Sequence, residues 1–141
     1  MIENEYTLKK DILKDYKNRA LKLRRLRNKL DLINLGAKSV SYSDMPRAYS
    51  NVSQEDLIHD KLELEERIEK LTASNQQMKD QIVAAIDMLE NDKHSASLEM
   101  YYIDLMNMFD ISIELGVDVR TVKRYIKKAI LELDLNVLKA S

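Results

Sequence analysis

Residues 108–127 read Met108-Phe-Asp-Ile-Ser-Ile-Glu-Leu-Gly-Val-Asp-Val-Arg-Thr-Val-Lys-Arg-Tyr-Ile-Lys127. Taken as a twenty-residue frame, they meet the physical requirements of two helices crossing tightly through a turn. The ninth position is Gly116, which adopts positive φ without a steric penalty. The fifth, Ser112, is small where the two helices touch. Ile111, Leu115, Val117, Val122 and Tyr125, at positions four, eight, ten, fifteen and eighteen, are apolar and predict the buried side of the crossing. Asp118 stands where a carboxylate caps the second helix and meets the positive end of its dipole. The frame predicts a helix-turn-helix.

The second helix of the frame divides into two faces. Val122, Tyr125, Ile126, Ala129 and Leu133 recur at helical spacing and predict an inward stripe. Arg120, Arg124 and Lys127 lie opposite, flanked by Thr121, Lys123 and Lys128, and no acid falls between Val119 and Leu131. A helix with one apolar and one basic face suits the DNA major groove. A solvated surface helix also carries Lys and Arg, but the turn, the small fifth position and the cap favour double-stranded DNA as partner. Arg forks onto guanine with two hydrogen bonds, so Arg120 and Arg124 are expected at base edges. Lys123, Lys127 and Lys128 are expected at phosphates, with Thr121 able to serve either.

Upstream, the chain reads as helix throughout. The predicted C-terminal helices cover about 97–105, 107–115 and 119–135, after a polar break at residues 91–97. Residues 54–91 predict a long helix with core positions stepping by four and three: Leu57, Lys61, Leu64, Ile68, Leu71, Asn75, Met78, Ile82, Ala85 and Leu89. That spacing is a coiled-coil seam, and a lone Asn within it is a register-fixing device. Residues 5–35 predict another amphipathic helix through Ile12, Tyr16, Leu23, Leu26, Leu30 and Ile33, ending at Gly36. Between the two, residues 36–53 are Ser-rich and hold the single Pro, which predicts a loop, with Ser53 as the cap of the next helix. The expected fold is therefore all-α. A helical hairpin or coiled coil occupies residues 1–93, and a small helix-turn-helix domain occupies residues 94–141.

Two packings satisfy the seam: an antiparallel hairpin within one chain and a parallel homodimer. Charge favours the hairpin. Lys9 to Lys29 holds ten Lys and Arg against two acids, and Glu55 to Glu69 holds seven acids against two bases. An antiparallel fold at residues 36–53 brings these stretches side by side, and hairpins can still dimerise. The basic run from Arg19 to Lys29 can pair with the acids, contact DNA phosphates or remain solvated, in that order of expectation. The formal net charge of −1 hides this segregation, and local fields decide what a surface binds.

Composition excludes several classes. There is no Cys, so disulfide, iron–sulfur and zinc-thiolate sites are absent. His59 and His94 stand far apart and are expected at the surface, so neither a metal nor another cofactor is expected. With two Gly there is no phosphate-binding Gly-rich loop, and no nucleophile–base constellation is visible. An enzyme is not expected. No apolar run approaches a membrane span, and the acidic start is unlike a secretory signal, so a cytoplasmic protein is expected.

The run Tyr101 to Ala129, with its upstream helix, helix-turn-helix and trailing Lys127-Lys-Ala-Ile130, resembles the C-terminal domain of ArpU/RinA-type phage transcriptional regulators. These are similar to region 4 of sigma factors. Ser41-Tyr-Ser-Asp-Met-Pro-Arg47 also resembles the loop between N-terminal helices in related phage proteins. Where the family pattern reads Ile-Ala, this chain has Ile111-Ser112. The resemblance implies a regulator of late or packaging genes of a phage or mobile element, with RNA polymerase as a further partner. A homodimer is expected because two-fold pairing doubles the short site one helix-turn-helix reads. The alternative is a coiled-coil adaptor that binds another protein and uses the helix-turn-helix as a scaffold.

Overall fold

The computed structural model describes residues 2–38 and 54–139, with side chains from 5 to 36 and 55 to 139. Six helices follow in chain order: α1 (Ile2–Lys38), α2 (Gln54–Asp87), α3 (Asp92–Tyr102), α4 (Met108–Leu115), α5 (Val119–Glu132) and α6 (Leu135–Lys139). Among the described residues there is no strand, so the fold is all-α. The expected cap Ser53 and the loop stretch 41–47 lie outside the described residues.

Several boundaries differ from the sequence expectation, each for a local reason. α1 runs through Gly36 to Lys38, because a glycine inside a helix costs only about 1 kcal/mol relative to Ala and need not end it. α2 stops at Asp87, and its last turn tightens through Met88 N to Ala85 O and Leu89 N to Ile86 O. The polar break at residue 91 is instead a helix start: the Asn91 side chain accepts from the backbone N–H groups of Lys93 and His94. α3 ends at Tyr102, ahead of Leu105, which takes a left-handed φ of 60° as the chain turns toward α4. α5 ends at Glu132, and Asp134 opens α6 by accepting from the Asn136 N–H.

Contacts divide the chain into two units, one formed by Met1–Ala20 and Asn75–Ser141, the other by Leu21–Ser74. In the first, the helix-turn-helix does not build a core alone. Leu13 and Tyr16 of α1 join Ile82, Ala85 and Ile86 of α2, Leu98 and Tyr102 of α3, Ile111 of α4, and Val122, Ile126, Ala129 and Ile130 of α5 in one buried cluster. Burying each of the larger aliphatic side chains contributes about 1.5–3 kcal/mol. Burial pushes the Tyr102 hydroxyl up to about 12, with Tyr101 and Tyr6 adding to the shift, so it stays neutral. The Lys17 amine lies 3.2 Å from the centre of the Tyr101 ring, a cation–π contact joining α1 to α3. Asn75 is buried, as its seam position predicts, and among the described residues neither its amide oxygen nor its nitrogen has a hydrogen-bond partner.

In the second unit, the latter half of α1 and the first half of α2 come together within one chain. Leu23 and Leu64 are buried, and the Arg27 guanidinium donates to the Thr72 hydroxyl at 3.0 Å. Leu57, expected in the seam, is exposed. The expected pairing of basic and acidic stretches takes another form. The ion pairs found among the described residues of these stretches run along single helices: Arg19 with Asp15, His59 with Glu63, Lys61 with Glu65, and Lys70 with Glu66.

Candidate nucleic-acid interface

The helix-turn-helix begins at Asn107, whose side chain accepts from the Asp110 N–H at 2.8 Å and caps α4. At the other end Gly116 takes φ 68°. The Val117 N–H donates to Ser112 O at 3.0 Å and the Gly116 N–H to Ile113 O at 3.2 Å. These two bonds form a Schellman motif, which satisfies carbonyls the helix end leaves open and reverses the chain. Beyond its own chain neighbours, no atom of the described residues stands within 4 Å of where a Gly116 Cβ would sit. Its glycine requirement is therefore one of backbone conformation alone. Ser112 is buried, and its hydroxyl donates to the Phe109 carbonyl of its own helix. The polar group is thus satisfied internally, and a serine fits at the helix crossing.

Asp118 follows the turn and accepts from the Thr121 N–H at 2.8 Å, capping α5. The hydrogen bonds from Thr121 hold its carboxyl below the usual value, and Arg120 and Arg124 add to this. On α5, Val122, Ile126, Ala129 and Ile130 are buried. Leu133, just past the helix end, continues the stripe. Tyr125, expected within the stripe, lies at its edge, with its ring centre 5.6 Å from that of His94. Ile130, absent from the expected stripe, belongs to it.

Arg120, Lys123, Arg124, Lys127 and Lys128 are all exposed, and Thr121 is half-buried at the margin. Helical spacing sets Arg124 opposite the centre of the buried stripe, with Arg120 and Lys127 to one side of it and Lys128 to the other. Among the described residues none of the five cations forms an ion pair. The six expected residues therefore share one accessible helix surface.

Two features escaped the sequence reading. Lys9 is buried, and its amine donates to Leu131 O at 3.0 Å, in the last turn of α5. A cation there meets both an unsatisfied carbonyl and the negative end of the helix dipole. His94, expected at the surface, is buried, with Nδ1 3.4 Å from a Glu132 carboxylate oxygen. Neither has a periodic signal, because each is defined by a partner distant in sequence. Among the described residues no group of His, Asp or Glu side chains could hold a metal ion. Among them, too, no helix is long and apolar enough to cross a membrane.

No curated protein and no solved structure matches the chain. A family described as "protein of unknown function (DUF1492)" matches residues 42–134, which take in α2 to α5 whole. That span is more than half of the 141 residues, and the chain belongs to the DUF1492 family.

Proposed function

We propose that this protein is a sequence-specific DNA-binding transcription regulator whose α5 enters the major groove. The observation that carries the reading is the α5 surface itself: a capped helix, fixed by a Schellman turn, with exposed cations opposite its buried stripe. In this reading Arg120 and Arg124 contact base edges, Lys123, Lys127 and Lys128 contact phosphates, and Thr121 serves either. The resemblance of residues 101–129 to ArpU/RinA-type regulators supports a role at late or packaging genes of a phage or mobile element, in the cytoplasm, with RNA polymerase as a further partner. A homodimer on two half-sites completes the proposal.

The experiment is selection of bound duplexes from a random pool, followed by electrophoretic shift of the enriched sequence. Enrichment of a common site supports the reading, and recovery of unrelated sequences with no shift contradicts it. One observation favours the adaptor alternative. Phe109 and Ile113, one turn apart on α4, are 63% and 65% exposed, and such apolar exposure suits a protein contact.

A further inference from the structure

Lys22, Arg67 and Lys70 line a groove of about 290 Å³ together with Leu26, Leu71 and Ser74. All six residues belong to the Leu21–Ser74 unit. The three cations and Ser74 are exposed. Lys70 meets Glu66 at 3.1 Å, but both side chains are largely in solvent, where such a pair contributes little. Lys22 and Arg67 form no ion pair among the described residues.

The positive charge continues beyond the groove. Arg25 and Lys29, three and seven residues after Lys22, fall on the same side of α1, and both are exposed. At a helix rise of about 1.5 Å per residue this row is about 10 Å long. Cations held in a row repel one another, and a polyanion relieves that repulsion.

We propose that this groove is a second phosphate-binding surface, and that its ligand is the backbone of duplex DNA. The inference rests on the DNA reading above. A lone phosphate is held by donors converging on one enclosed point, whereas an open groove that continues as a row of cations fits a repeating anion. Arg67 can grip a phosphate with two hydrogen bonds, and Lys22 and Lys70 act as point charges beside it. Contacts of this kind add affinity without reading sequence.

The test uses the full chain with Lys22→Gln, Arg25→Gln and Arg67→Gln combined. It is titrated over a range of salt against the enriched duplex and an unrelated duplex. Each lost phosphate contact removes about 0.9 from the slope of log affinity against log salt. The expected result is a slope shallower by about two to three units on both duplexes, with preference between them unchanged. A companion variant with Lys22→Arg and Arg67→Lys, which keeps the charge, retains the wild-type slope. If the triple variant keeps that slope while Arg124→Ala loses preference for the enriched duplex, the groove proposal falls and the α5 reading stands. A wild-type chain that binds no duplex overturns both. Loss of poly-glutamate binding with an unchanged DNA slope assigns the groove to an acidic protein and overturns the proposal.

Discussion

The buried amine of Lys9 donates to the carbonyl oxygen of Leu131 at 3.0 Å, joining residues 122 positions apart. One turn further along α1, Leu13 is fully buried in the cluster that also holds Ile126, Ala129 and Ile130 of α5. The start of α1 is thereby built into the support of the candidate recognition helix.

Removing this contact should loosen the end of α5. Lys9→Ala deletes a charged hydrogen bond and its packed stem, and should lower stability by about 1.5–3 kcal/mol. Lys9→Met keeps most of the stem and should cost less. Urea denaturation of the two variants measures the difference. Equal stability of wild type and Lys9→Ala would show that the contact contributes nothing.

Asn75 makes the opposite case. Both amide atoms are buried without partners among the described residues, a state that costs about 1–3 kcal/mol. Asn75→Leu should therefore raise the midpoint of urea unfolding, and sedimentation should show a broader mixture of oligomeric states than wild type. A drop in stability would contradict an unsatisfied amide at this position.

Gly116 is tested through its backbone. Because a Cβ there would meet no neighbour, Gly116→Ala isolates the cost of a left-handed residue, about 1–2 kcal/mol. Gly116→Asn should cost less, since Asn tolerates this conformation better. Thermal unfolding of the pair should rank them in that order, and equal melting temperatures would contradict the assigned turn.

Much of the fold was legible because it depends on neighbours in sequence. Gly116, Asp118 and the two faces of α5 are local features, and Leu64, Asn75, Ile82 and Ala85 follow a repeating seam. What escaped has no such repeat. Lys9 looks like any other cation of a basic helix until α5 packs against it. Leu13 sits one step round from the expected Ile12, and both touch the same core. Asn91 and Asn107 can each be read as a break or a cap, and only the N–H groups beside them decide which. Nothing in a leucine announces a positive φ, so the turn at Leu105 was hidden. The groove beside Lys22 depends on the pairing of two helices, which spacing alone does not specify.

Asp118 gives a pH test of the α5 cap. Hydrogen bonds from Thr121 lower its folded pKa. A depressed carboxylate contributes stability that is present above its ordinary value, 3.8, and is lost as pH falls through the lowered one. Asp118→Asn keeps a capping acceptor but removes the titration. The stability gap between wild type and Asp118→Asn should be constant from neutral pH down to weak acid and close in strong acid. A gap that widens as pH falls would contradict the assigned cap.

The central claim is that α5 reads bases through Arg124. The most direct measurement is the affinity of Arg124→Ala and Lys128→Ala for the enriched duplex and for an unrelated one, by fluorescence anisotropy across salt. Arg124→Ala is expected to lose about 1–3 kcal/mol on the enriched duplex and much less on the unrelated one. Lys128→Ala is expected to weaken both alike and to make the salt slope shallower by about one unit. Intact binding of Arg124→Ala to the enriched duplex would contradict the account and turn attention to α4 and its exposed Phe109 and Ile113.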